Sequence, residues 1–162
     1  MPTSLRVVIL TVSDSVARAA RADESGPAVR GRCVALGWQV TASDQSPDDR
    51  EAIEGFLRVI ADSGAADVIL TAGGTGIGPR DLTPEATVAV CDRILPGFGE
   101  QMRDVGRRAN ERAALSRAVA GVRGKTVIVN LPGSPKGAVE SLDAVAKLLP
   151  HAVDVLHGAH HG

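Results

Sequence analysis

Asp67-Val68-Ile69-Leu70-Thr71-Ala72-Gly73-Gly74-Thr75-Gly76-Ile77-Gly78-Pro79-Arg80-Asp81-Leu82-Thr83-Pro84-Glu85-Ala86 runs from an apolar stretch through a glycine-rich loop into a helix start. Residues 67–71 read as a strand, and Thr83-Pro84 places a capping residue before a proline at the first helical position. Closely spaced glycines let backbone N–H groups ring an anion, and the helix that follows adds its partial positive charge. Strand, glycine loop and helix in that order are one unit of an α/β fold whose loop handles phosphate.

The flanking chain repeats the alternation. Leu5 to Val12 is a β-branched run suited to a strand covered on both faces, ended by Ser13-Asp14-Ser15. Residues 16–24 suit a loop or a short exposed helix, Ser25 offers a cap to a helix over 26–36, Gly37 a stop, and residues 38–43 a second strand. Ile53, Phe56, Leu57, Ile60 and Ala61 recur at helical spacing within 49–63. Downstream, Pro96-Gly97 precedes a polar helical stretch over 98–113. A short strand over 119–122 turns at Arg123-Gly124 into a stronger one over 125–131, and Pro132 to Gly137 leads to a helix bearing Val139, Leu142, Val145, Ala146 and Leu149. The expected fold is α/β: a three-layer, doubly wound, mainly parallel sheet with one antiparallel strand, as a single domain over 1–162. Ligands of such sheets collect outside the carboxyl ends of the strands. Three strand ends carry unusual polar loops, Ser13-Asp14, Gly73 to Asp81 and Pro132 to Lys136, and are expected to converge.

The familiar nucleotide motifs fail. From Gly74 or Gly76, Pro79 or Asp81 replaces the third glycine of a dinucleotide fingerprint, and Pro79 stands where a P-loop beginning at Gly73 needs lysine. Gly124-Lys125-Thr126 lacks the upstream glycine and opens a strand. All four histidines lie at 151–161, away from these loops, which disfavours a histidine-assisted nucleophile, and the terminal histidines read as a solvated tail. Cys33 and Cys91, each in a helix-like segment, read as buried reduced thiols. A formal net charge of -1 disfavours general nucleic-acid binding. No secretory signal or membrane-length apolar run is visible, so a cytoplasmic protein without membrane attachment is expected. What remains is carboxylates beside glycine loops, the chemistry of Mg²⁺-assisted phosphoryl or nucleotidyl transfer, with Asp81 the leading metal ligand.

Thr71 to Gly76 followed by Arg80 to Thr87 resembles the GGTG…RD-TPEAT signature of the Mog/MoaB molybdopterin adenylyltransferase family, which includes the G domain of gephyrin. Ser13-Asp14-Ser15, Asp23 to Gly26, Pro47-Asp48-Asp49, Pro96-Gly97-Phe98, Leu115-Ser116-Arg117 and Asn130 to Gly137 extend the match over most of the chain. The resemblance implies a trimer or dimer of trimers that transfers AMP from Mg-ATP to the phosphate of molybdopterin, with the downstream molybdate-inserting enzyme as a partner. It implies catalytic roles for Asp81 and Asp48. It also implies substrate contacts from Ser13, Asp14, Gly73, Gly74, Thr75, Gly76, Ser116, Arg117, Asn130, Pro132, Gly133, Ser134 and Lys136. Without it, Asp48 reads as part of a capping box with Asp49, Arg50 and Glu51, Ser134-Pro135 as an ordinary cap, and Arg117 as an exposed arginine. The residues suit two functions, an adenylyltransferase and a MoaB-like pterin-binding protein or scaffold with little turnover. A third, the molybdate-inserting enzyme, normally carries further domains. The chain ends soon after Leu149 to Asp154, without the longer tail of Mog-type members.

Overall fold

The computed structural model describes residues 4–158. The sheet is assembled from β1 (Arg6–Val12), β2 (Gln39–Ser46), β3 (Val68–Ala72), β4 (Arg93–Ile94), β5 (Ala120–Arg123) and β6 (Thr126–Leu131), in the order β2-β1-β3-β6-β5-β4. β1, β2, β3 and β6 are mutually parallel, β5 runs against β6, and β4 runs against β5. Two reversals restore the direction at β4, so β5 is the one antiparallel strand.

The apolar runs are continuous because both faces are covered. Val7, Ile9, Val68, Leu70, Val127 and Val129 point into one core, against α2 (Ser25–Ala35), α5 (Pro96–Ala109), α6 (Pro135–Val145) and α7 (Leu148–Leu156). The intervening Val8, Leu10, Ile69 and Ile128 point into the other, against α3 (Arg50–Ser63) and α4 (Thr83–Val90). The period-2 alternation of a strand thus feeds two helical layers from one segment. β2 lies at one side of the sheet with most of its residues exposed, and its register against β1 shifts between Val7 and Val8.

Local departures from the sequence reading have physical causes. Ser25 is the first helical residue of α2 and makes no cap bond; Asp23 Oδ1 accepts the Gly26 N–H instead. Residues 14–17 form a single turn, α1 (Asp14–Ala17), capped by Ser13. Thr83 begins α4 without capping it, its hydroxyl donating to Gly73 O at 2.9 Å. The stretch over 98–113 divides at Asn110 into α5 and a 3₁₀ turn, Glu111–Leu115, because the Asn110 side chain caps the latter by accepting the Arg112 N–H. The last helix divides between Val145 and Leu148, and Cys91 follows α4 in extended conformation. Both thiols are free, and burial pushes both up to about 11. His160 and His161 lie outside the described residues.

Candidate active site

Three adjacent parallel strands, β1, β3 and β6, end on the same side of the sheet, so the loops after them must meet there. The β1/β3 junction is also where the connections reverse direction, the usual place for a ligand crevice. A cleft of about 480 Å³ opens at this point, lined by Ser13, Gly73, Gly74, Asp48, Asp81 and Ser134 among others. A second cleft of about 460 Å³ adjoins it, lined by Gly76, Arg103, Arg112, Ser116, Pro132, Ser134 and Lys136. Ser134 borders both. It caps α6 by accepting the Gly137 N–H at 3.1 Å, so the positive end of that helix points at the common rim.

The glycine loop is shaped by close approach. Gly73 sits at φ +111°, and a Cβ there would stand 2.2 Å from Val12 O. Its N–H already donates to Leu131 O at 3.0 Å, which stitches the loop to the end of β6. The N–H groups of Gly74 and Gly76, residues that line the first and second cleft respectively, have no protein acceptor among the described residues and so are available to an anion. Gly76 and Gly78 make room for a carboxylate: Asp81 Oδ2 lies 2.8 and 2.9 Å from where their Cβ atoms would stand, and accepts the Gly78 N–H at 2.8 Å.

Asp48 is not the helix cap. That role falls to Asp49, whose side chain accepts the Ala52 N–H at 2.9 Å, leaving Asp48 to face the cleft. Its Oδ2 accepts the Asp14 N–H at 3.0 Å, while the Asp48 N–H donates back to Asp14 Oδ1 at 2.9 Å. Arg80 closes this arrangement, donating from Nε and Nη2 to the two oxygens of Asp14 at 2.8 and 3.0 Å. The residue before Asp81 is thereby tied to the loop that presents Asp48. Burial pushes the Asp48 carboxyl up, with the charges of Asp14 and Asp81 adding to it and the Asp14 N–H and Arg80 opposing. The Arg80 hydrogen bonds hold Asp14 low.

Not every expected contact reaches a cleft. Asn130 is wholly buried: its Nδ2 donates to Thr71 Oγ1 at 3.1 Å and Thr87 Oγ1 at 2.9 Å, and its Oδ1 accepts the Val119 N–H. It joins β3, β6 and α4 internally and is not placed to touch substrate. Arg117 lines neither of these two clefts; it lies behind the glycine loop, with its guanidinium on Gly76 O, Asp81 O and Glu85. Thr75 is buried, its carbonyl accepting the Arg117 N–H, and Asp14 acts on Asp48 from outside the lining. Conversely, Arg21, Asp23 and Glu24 line the first cleft, and Arg103 and Arg112 the second, although none is among the expected ligand contacts. The run of arginines over 103–112 is the signal that could have found the last two. Asp23 is held by the Thr11 hydroxyl at 2.8 Å.

The charges of the two clefts differ. Asp23, Glu24, Asp48 and Asp81 outweigh Arg21 in the first, whereas Arg103, Arg112 and Lys136 outweigh Glu140 in the second. No group of three or more His, Cys, Asp or Glu side chains forms a metal cage among the described residues. Asp48 and Asp81, lining the same cleft, are of the donor type that suits Mg²⁺, which binds through one or two carboxylates and completes its shell with water and substrate phosphate.

Fold and loops together define a doubly wound α/β protein with adjoining clefts that meet at a glycine-lined, carboxylate-bearing rim. The family model described as "Probable molybdopterin binding domain" matches residues 8–151, and the chain belongs to that family. It is 37% identical to a molybdopterin adenylyltransferase of Helicobacter pylori over 96% of this chain and 89% of that protein. A molybdopterin adenylyltransferase of Escherichia coli is also 37% identical, over 88% of this chain and 74% of its own length. Among solved structures, the molybdopterin biosynthesis enzyme MoaB of Thermus thermophilus superposes with a TM-score of 0.90 at 52% identity, covering 96% of this chain and 98% of that one. The molybdopterin biosynthesis Mog protein of Mycobacterium ulcerans superposes at 0.87 and 37% identity, covering 94% and 99%. Similarity thus extends to proteins named MoaB and to proteins named Mog.

Proposed function

We propose that this chain is a molybdopterin adenylyltransferase of molybdenum cofactor biosynthesis, transferring AMP from ATP to the phosphate of molybdopterin and releasing pyrophosphate. The observation that carries this reading is the pair of clefts of opposite charge sharing the Ser134 rim. The curated relatives named for this activity favour it over a scaffold without turnover.

The acidic cleft takes the nucleotide and the basic one takes the pterin with its phosphate. A polyphosphate entering beside Asp23, Glu24, Asp48 and Asp81 is repelled unless a cation accompanies it. Mg²⁺, bound with the nucleotide, supplies that positive charge and withdraws electron density from the phosphates. Asp81, with Asp48, would hold it. The amides of Gly74 and Gly76 and the α6 N-terminus bind phosphate oxygens at the rim, while Arg103, Arg112 and Lys136 draw the pterin phosphate toward them. An oxygen of that phosphate attacks the α-phosphorus of ATP, forming one P–O bond as the bond to pyrophosphate breaks. Both reactants are anions and neither needs a protein nucleophile, so catalysis here consists of alignment and relief of repulsion.

Residues 1–162 act as one molybdopterin-binding domain, in the cytoplasm, as a trimer or dimer of trimers that passes its product to the molybdate-inserting enzyme. No helix among the described residues is long and apolar enough to cross a membrane. The test is direct: purified protein with molybdopterin, ATP and Mg²⁺, followed for adenylylated pterin and pyrophosphate. Asp81→Asn is expected to abolish product while leaving the fold and most pterin affinity intact. Pterin binding by the unmutated protein without product would identify a binding protein, and turnover retained in Asp81→Asn would move the metal to another residue.

A further inference from the structure

Arg117 follows Leu115 and Ser116, which line the basic cleft, and precedes Ala118, which lines it too. Its own side chain turns the other way. Nε donates to Gly76 O and Nη2 to Asp81 O, each at 2.7 Å, and the backbone N–H donates to Thr75 O at 2.8 Å. Glu85, in the first turn of α4, holds the remaining side of the guanidinium through both carboxylate oxygens. Three carbonyls of one loop, on either side of the Gly78 N–H that holds the Asp81 carboxylate, are therefore gathered by one residue.

We propose that Arg117, fixed by Glu85, is a positioning residue for Asp81: it touches neither substrate, and sets from behind the place at which Asp81 meets the metal and the nucleotide. This rests on the assignment of nucleotide to the acidic cleft. The planar fork suits the role, since only arginine presents donors in fixed directions to two carbonyls and a carboxylate at once. Lysine concentrates its donors at a single nitrogen and cannot span the loop.

The consequence is an effect that crosses between the clefts. A change in the segment lining the pterin side should weaken binding on the nucleotide side. Calorimetric titrations with α,β-methylene-ATP plus Mg²⁺, and separate fluorescence titrations with molybdopterin, are made on the full chain, on Arg117→Lys and on Glu85→Gln. Loss of an outer contact that orients a metal ligand lowers affinity by about 10–100-fold, and Arg117→Lys is expected to weaken Mg-nucleotide binding by that amount. Glu85→Gln, which retains the shape of the side chain, should move it in the same direction by less. Molybdopterin binding without nucleotide should change far less than Mg-nucleotide binding in both, since Gly76 is the one residue held by the Arg117 side chain that also lines the basic cleft. Arg117→Lys that weakens pterin and leaves Mg-nucleotide intact would make the arginine a pterin contact and overturn the proposal. Mg-nucleotide affinity unchanged in both variants would overturn it as well. Absence of Mg-nucleotide binding by the unmutated chain would instead count against the activity proposed above.

Discussion

Replacing Gly73 by alanine tests the central loop at its tightest point. Two costs arise independently. Alanine at φ +111° occupies the left-handed side of backbone space, at about 1–2 kcal/mol. The new Cβ would also stand 2.2 Å from Val12 O, and this neighbour is backbone at the end of β1, which cannot swing aside as a side chain can. Relief requires the two strand ends to separate, at about 1–3 kcal/mol by analogy with overpacked cores. Together these come to about 2–5 kcal/mol against a total stability of about 5–15 kcal/mol. Gly64→Ala is the control. Gly64 has φ +72° but nothing within 4 Å of its Cβ position, so it carries the conformational cost alone. Urea unfolding of both variants, read by far-UV circular dichroism, should place Gly73→Ala well below Gly64→Ala. Adenylylation should survive in the second and collapse in the first, because separating the β1 and β3 ends displaces the Gly74 and Gly76 amides from the rim. Equal midpoints for the two variants would refute the close approach and the account of the loop built on it.

Asn130→Ala should cost about 1–3 kcal/mol, because it leaves the part-buried Val119 N–H without its side-chain acceptor and the buried hydroxyls of Thr71 and Thr87 without their donor. The folded fraction should keep its KM for both substrates, whereas an Asn130 that touched substrate would show a raised KM with stability intact. Asp67 supplies a pH dependence. Burial raises its carboxyl, but hydrogen bonds from the Arg6 backbone N–H and guanidinium outweigh that and hold it low. A group depressed by folding stabilises above its unfolded value, about 3.9, and that contribution is lost as pH falls through the lower folded value. Unfolding midpoints of Asp67→Asn should therefore fall less steeply than those of the unmutated protein as pH drops from the unfolded value through the folded one; parallel acid limbs across that window would remove Asp67 from the account.

The layers were legible in the sequence because β1, β3 and β6 are short runs of Val, Ile and Leu whose composition requires cover on both faces, and Gly37 and Gly64 punctuate the helices between them. The meeting of three loops followed from parallel strands sharing one direction. Less legible was which polar atom goes where. Asp48 and Asp49 both look like caps in sequence, and only the turn into α3 decides that Asp49 takes the Ala52 N–H. Asn130 belongs to a motif next to the site, but its position inside a strand aims it between layers rather than at the rim. Arg117 could not be assigned from spacing, since its partners Gly76, Asp81 and Glu85 lie more than 30 residues away, and the first two meet it through backbone carbonyls that side-chain identity does not encode.

The two ends of the sheet bear on how copies of this chain can associate. β4 has only two residues, too few to template another strand. β2 is long enough, but it carries Asp44, mostly exposed polar side chains and a register irregularity opposite Val7 and Val8. Charge and bulging are the devices by which proteins blunt an open strand edge against pairing with a neighbour. Strand-to-strand addition between molecules is thus discouraged at both borders, which leaves helical faces and loops as the surfaces through which copies of this chain would meet. Assembly can then proceed without the sheet, and with it the three strand ends that hold the site, being drawn into an intermolecular ladder.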